Sequence, residues 1–246
     1  MYLEYRESEQ EKLRTQDLIK VVPKTRRTVL DIGARDGYFS SQLTAYYELV
    51  TALDLEQPKF SFDRVVNVKG DITHLEMPDD YFDVVFCAEV LEHIPALEKA
   101  CNELKRVARH EVVIGVPYKQ DTRCCRTWCK SCGKMSPPWG HINTFDEQRL
   151  RKLFYPLKPI STTYVGLSTT KTNELSRILY DFGRNPWGTY DQEEPCIHCG
   201  AKVVAPEDRS VPEKAASWLA FRLDQIQQRF VKPQPNWIHM VFQKRP

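Results

Sequence analysis

"VLDIGARDGYF", Val29 to Phe39, is an apolar run that stops at one glycine and gives way to polar residues before a second. With Thr28 ahead of it, "TVLDIG" reads as a short buried strand entering a tight turn, and "YFSSQLTAYY" after Gly37 reads as a helix. Glycine permits both the sharp turn and a close approach of backbone to ligand. In outline this is a nucleoside-binding arrangement. A dinucleotide site would want G-x-G-x-x-G, whereas Gly33 and Gly37 here enclose only Ala34, Arg35 and Asp36. Asp31, just before the turn, suits a positively charged ligand better than a pyrophosphate. A sulfonium carrying an amino acid meets that demand.

Working outward, the residues over 7–22 predict a charged helix with Leu13, Leu18, Ile19 and Val22 as a weak apolar stripe, ended by Pro23. "LVTALDLE", "VVNVKGDI", the first part of "FDVVFCAEVLEHI" and "EVVIGVPY" read as further strands, with a helix over "PALEKACNELKRVA". A helix at "TFDEQRLRKLF", with Thr144 and Glu147 spaced as a capping box, precedes a strand at "STTYVGL". A long helix over "EKAASWLAFRLDQIQQRF" and a strand at "NWIHMVFQKR" close the chain. Strands alternating with helices imply an α/β fold: a Rossmann-like, seven-stranded, mostly parallel sheet with helices on both faces. Asp54 ends the second strand, where an acid can accept from both ribose hydroxyls.

"VLDIGARDGYFS", "ALDLE", "GDI" and "FDVVFCAEVLEHI", in that order, resemble the class I S-adenosylmethionine-dependent methyltransferases, in particular the small-molecule group whose fourth-strand motif ends in "EVLEHI". The resemblance covers residues 28–117. It implies that Asp31, Gly33, Ala34 and Gly37 surround the methionine part of S-adenosyl-L-methionine and that Asp54 and Leu55 meet the ribose side. It also implies that Asp71 and Ile72 face the adenine, and that Ala88 and Glu89 line the floor near the sulfonium.

The chain has 246 residues, 41% hydrophobic and 28% charged, with a net charge of +2, which describes an ordinary globular protein without a global pull toward nucleic acid. No apolar run reaches the length of a membrane span, and the polar N-terminus is unlike a signal peptide, so a cytoplasmic location is expected. In such a reducing setting eight cysteines are expected as thiols or metal ligands.

"CKSCG" at Cys129 returns as "CIHCG" at Cys196. Each C-x-x-C followed by glycine is a knuckle that turns two thiolates toward one metal. A closed tetrahedral site needs two knuckles, so Cys129, Cys132, Cys196 and Cys199 are expected to hold one structural Zn2+, with Cys124, Cys125, His141 and His198 in reserve. Cys87 and Cys101 read as buried small hydrophobes.

Methyl transfer needs a base only if the acceptor must lose a proton. His141, in "WGHINTF", is the first candidate, with Tyr118 and His93 less suited. Arg123, Arg126, Lys130 and Lys134 either face an anionic acceptor or balance the thiolates. The aromatics Trp128, Trp139, Trp187 and Tyr190 either stack on an acceptor or fill the module. The reading is a methyltransferase acting on oxygen of a small metabolite or saccharide. RNA or protein as acceptor, or a non-catalytic interaction protein, stand as alternatives. The expected division is 1–118 core, 119–143 first knuckle insertion, 144–167 core, 168–212 second knuckle insertion and 213–246 core.

Overall fold

The computed structural model describes residues 8–244. Its elements begin α1 (Glu9–Val21), β1 (Thr28–Ile32), α2 (Tyr38–Leu43), β2 (Leu49–Asp54), β3 (Val65–Lys69), β4 (Phe82–Ala88), α3 (Leu97–Val107) and β5 (Ala108–Pro117). They continue β6 (Thr127–Trp128), β7 (Met135–Ser136), α4 (Glu147–Leu153), β8 (Lys158–Val165), α5 (Glu174–Phe182), α6 (Val211–Gln228) and β9 (Trp237–Gln243). The chain divides into two units: Met1–Tyr118, Phe145–Gly166 and Pro235–Pro246 form the first, Lys119–Thr144 and Leu167–Gln234 the second.

The first unit carries a seven-stranded sheet in the order β3-β2-β1-β4-β5-β9-β8. Strands β1 to β5 are parallel where they pair, and β9 runs antiparallel to both β5 and β8. Continuous apolar runs in β1, β4 and β5 suit strands covered on both faces. Because successive side chains alternate, Val29, Val84, Phe86 and Val113 fall on one face with Leu18 of α1 and Leu43 of α2. Leu30, Ile32, Val85 and Ile114 fall on the other, with Leu97 and Leu104 of α3 and Leu150 of α4. This is the Rossmann-like sheet that the strand pattern predicts.

Three local expectations need correction. Leu13 of the expected α1 stripe is exposed, and the buried face of that helix is instead Glu11, Arg14, Thr15 and Leu18. The charges are tolerated because Arg14 pairs with Glu11 through both Nε and a terminal nitrogen, at 2.8 and 2.5 Å. Residue 7, the first of the expected helix, lies outside the described residues. The N-cap of α4 is Asp146, whose carboxylate accepts from Arg149 N at 2.7 Å, rather than Thr144.

The third concerns the second unit, where α5 forms within a stretch read as irregular and where α6, read as part of the core, is grouped. Ser217 of α6 donates to the carbonyl of Gly183 at 3.1 Å, and Asn173 at the start of α5 donates to Gln227 at 2.7 Å. These contacts tie α6 to α5. A capping box of Ser210 and Glu213 begins α6. The short ribbon β6–β7 carries the first cysteine knuckle at its turn. No helix among the described residues is long and apolar enough to cross a membrane.

Phe242 of β9 is fully buried and stacks on Phe154 with ring centroids 4.8 Å apart. Phe242→Ala is expected to cost about 3–5 kcal/mol in urea unfolding, and a loss below about 1 kcal/mol would show that this contact does not anchor the sheet.

Candidate functional site

In the first unit the residues singled out by sequence collect where β1, β2 and β4 end. Gly33 N and Ala34 N both donate to Leu53 O, at 2.8 and 3.2 Å, so the turn after β1 is strapped to the end of β2. Gly33 (φ 73°) and Gly37 (φ 77°) are left-handed, the conformation that favours glycine. A Cβ on Gly33 would sit 2.4 Å from Val90, and one on Gly37 would sit 2.7 Å from the Phe60 ring. Conformation and space therefore exclude side chains at both positions.

Asp54 Oδ2 accepts from Arg35 N at 2.9 Å, which aims the carboxylate at the glycine turn. Leu55 beside it is exposed. Asp31 is buried beneath the turn and accepts from the Ser40 hydroxyl at 2.5 Å. Burial, reinforced by the charges of Asp36 and Asp54, pushes its carboxyl up to about 7. Asp71 closes a local turn by accepting from Thr73 N at 2.7 Å, while Ile72 is buried in the core.

Ala88 ends β4, and Glu89 follows with a left-handed φ of 57°. Its Oε2 accepts from Trp237 Nε1 at 3.2 Å, and its Oε1 lies 3.8 Å from Arg14. Burial raises the Glu89 carboxyl against the opposing pull of Arg14. The sequence reading missed Ser40, Arg14 and Trp237. Ser40 lies in the same quoted stretch as Asp31, but Trp237 is 148 residues from Glu89, so no local pattern joins them.

In the second unit all four cysteines of the two knuckles converge, their sulfurs within 4.8 Å of one another. Cys129 and Cys199 approach to 3.6 Å, Cys132 and Cys196 to 3.7 Å. A tetrahedral zinc with bonds of about 2.3 Å sets sulfur–sulfur edges of about 3.8 Å, so the donor set fits that ion in both chemistry and spacing. The knuckles repeat one backbone pattern. Gly133 N donates to Cys129 O at 2.8 Å and Gly200 N to Cys196 O at 2.9 Å. Cys129 N donates to Lys134 O and Cys196 N to Ala201 O, both at 2.9 Å.

Of the reserve ligands, His198 Nε2 lies 3.1 Å from Met135 O. Cys124 and Cys125 fall outside the four-sulfur group. His141 is buried with Nδ1 2.6 Å from Gln120 Oε1, and Trp139 lies alongside. Arg123 is bound to Asp121 and Glu174, and Arg126 to Asp181. These two arginines are therefore engaged with the module's own acids. Trp128 N donates to the Tyr190 hydroxyl at 2.9 Å, Arg184 lies over the Trp128 ring 4.9 Å from its centroid, and Trp187 packs on Phe221 with centroids 5.2 Å apart.

Residues 30–114 match the family model described as a methyltransferase domain. A ubiquinone biosynthesis O-methyltransferase of Rickettsia bellii is 26% identical over 177 residues, covering 67% of this chain and 70% of the relative. A sterol 24-C-methyltransferase of Yarrowia lipolytica is 41% identical over 54 residues, 22% of this chain and 14% of the relative. The chain spans 14%, 25% and 36% of the length of three curated relatives that it matches. The 1,6-didemethyltoxoflavin-N1-methyltransferase of Burkholderia thailandensis, solved with bound S-adenosylhomocysteine, superimposes with a TM-score of 0.56 at 14% identity, over 100% of this chain and 84% of that one. Its likeness is one of fold.

Asp31 makes a stability prediction from its burial. Its folded pKa of about 7 lies above the ordinary 3.8, so ionising it works against the fold as pH rises through that window. Relative to wild type, Asp31→Asn is expected to gain about 4 kcal/mol in unfolding free energy between pH 4 and pH 7, then level off. A pH-independent difference would show that Asp31 ionises without penalty.

Proposed function

We propose, from the methyltransferase domain matched over residues 30–114 and the acid–glycine geometry at the strand ends, that the chain transfers a methyl group from S-adenosyl-L-methionine to oxygen of a small metabolite or saccharide. The observation that carries this reading is Asp31: a carboxyl buried below a glycine turn, which burial pushes up to about 7. The ammonium of the cofactor's methionine part would favour its ionised form and offset that burial. The cofactor, when bound, supplies an activated methyl on a positively charged leaving group.

The chain's own residues bind and orient. Gly33 and Ala34 spend their N–H groups on Leu53, so the turn offers shape rather than donors. Arg35 N–H fixes one oxygen of Asp54, leaving the other for a ribose hydroxyl. Leu55 would lie beside Asp54 on the ribose side, and Asp71 and Ile72 would flank the adenine. Ala88 and Glu89, at the start of "AEVLEHI", would form the floor near the methyl group, with Trp237 and Arg14 holding the Glu89 carboxylate in place. His141 is our candidate base for a hydroxyl acceptor, its ring oriented by Nδ1 lying 2.6 Å from Gln120 Oε1. Positioning supplies most of the rate in such an in-line displacement.

We assign Cys129, Cys132, Cys196 and Cys199 to one structural Zn2+. Four thiolates complete a tetrahedron and leave no position for substrate. A cytoplasmic setting, where thiols stay reduced, fits a chain whose cysteines form no disulfide among the described residues. The engagement of Arg123 and Arg126 with neighbouring acids weakens the case for a basic surface that docks RNA.

Calorimetry with S-adenosylhomocysteine is expected to give one site per chain, weakened about 10–100-fold by Asp54→Ala through loss of hydrogen bonds to a charged group. Failure to bind at millimolar ligand would overturn the cofactor reading. Metal analysis is expected to give one zinc per chain and none in Cys199→Ser. Four of the five tryptophans lie in the second unit, so stripping the zinc is expected to change tryptophan fluorescence while cofactor affinity persists. A metal-free wild-type chain with unaltered fluorescence would remove the zinc assignment.

A further inference from the structure

Helices α5 and α6 are built inside out. The buried residues of α6 are Ser217, Ala220 and Asp224, and α5 buries Ser176. Small groups make the contact close: a Cβ on Gly183 would meet Ser217 Oγ at 2.0 Å. The large apolar side chains point the other way. Trp218, Leu219 and Ile226 share the outward face of α6, with Trp218 59% and Ile226 56% exposed. Leu175, Ile178 and Phe182 follow the i, i+3, i+7 spacing of one face of α5 and are 58%, 53% and 59% exposed. Beyond α6, Phe230 is 83% exposed. A helix normally buries its apolar face, so an apolar face turned outward on two adjoining helices marks an interaction surface.

Charge identifies the partner. Lys214, Arg222, Arg229 and Lys232 are all exposed along the same segment. Its two acids are directed elsewhere: Glu213 pairs with Arg184 and caps α6, and Asp224 is buried against the Thr172 hydroxyl. Arg222 lies over the Trp218 ring, 5.9 Å from its centroid, so cation and aromatic share one face. On α6 aromatic and aliphatic side chains are interspersed with lysine and arginine and neither acid is directed outward, while on α5 the exposed Glu174 is neutralised by Arg123 and Arg177, a composition that matches helices lying in the headgroup region of a bilayer. A two-fold contact with a second copy would bring the same four cations against themselves.

We propose that the outward face of α5 and α6 docks the second unit on an anionic lipid surface, the side chains of Trp218, Ile226 and Phe230 entering the headgroup boundary and the four cations meeting lipid phosphates and carboxylates. The interaction is peripheral and needs no spanning segment. It is independent of the proposed methyl transfer.

The test is flotation of the full zinc-loaded chain with vesicles of phosphatidylcholine alone and of phosphatidylcholine mixed with phosphatidylserine. Binding is expected only to the anionic vesicles and to be lost at high salt. Arg222→Gln is expected to weaken it about fivefold, the worth of one cation near an anionic surface. The pair Trp218→Ser and Phe230→Ser is expected to abolish it, with zinc content and unfolding midpoint unchanged, since both side chains are exposed. No flotation with anionic vesicles, or equal flotation on neutral ones, would overturn the proposal. So would a concentration-dependent dimer that this double variant dissolves while vesicles remain unbound, which would assign the face to a second copy.

Discussion

Parallel pairing is the constraint on which the first unit depends. β1 lies between β2 and β4 with all three strands running the same way, so Ile32, Asp54 and Ala88 reach a common edge although they are scattered over more than fifty residues of chain. The peptide groups of Gly33 and Ala34, both donating to Leu53, lock the ends of β1 and β2 together just where the chain turns away. That strap makes the left-handed glycine turn obligatory, and the turn covers Asp31. An acid buried there is costly unless it stays neutral or meets a cation. The fold thus creates an edge of strand ends with a buried acid beneath it, and under the proposed function that acid would favour a positively charged ligand.

What could be read from the sequence was what local periodicity encodes. The apolar runs of β1, β4 and β5, the helix between β4 and β5, and the glycine spacing are all patterns within a dozen residues. The paired knuckles were legible for the same reason, each being a five-residue motif, and their convergence needed only the assumption that one metal wants four ligands. Contacts across the chain were not legible. The hold of Trp237 on Glu89 and of Arg14 on Glu11 and Glu89 depends on tertiary placement, so a helix that looked weakly amphipathic turned out to bury its charges.

The assignment of α6 shows the same limit in sharper form. The sequence reading grouped 213–246, this helix included, with the core, yet its Trp218, Leu219, Phe221 and Ile226 are exposed. The structure buries Ser217, Ala220 and Asp224 instead. Hydrophobic periodicity finds a helix's apolar face but cannot tell whether that face looks inward. The small-residue contact with Gly183 and the hydrogen bond that the Thr172 hydroxyl donates to Asp224 mark the inward side.

The second unit must then be held by something other than apolar burial. The apolar cluster around its knuckles consists of Cys129, Cys196 and Val203, with Cys132, Tyr190 and Ala201 against it, far smaller than the clusters on either face of the sheet. Hydrogen bonds and ion pairs fill part of the gap: Tyr190 ties Trp128 to Asn185, Arg126 pairs with Asp181, and Arg184 lies over the Trp128 ring. Such surface-linked pairs individually contribute little. A structural zinc, worth about 10–16 kcal/mol in small peptides, is of the size needed to order loops with so little core. Under the proposed zinc assignment the two unusual features of this unit would share one explanation. If coordination supplies the folding energy at its centre, its large apolar side chains are not needed there, and α5 and α6 are free to carry them on the outside.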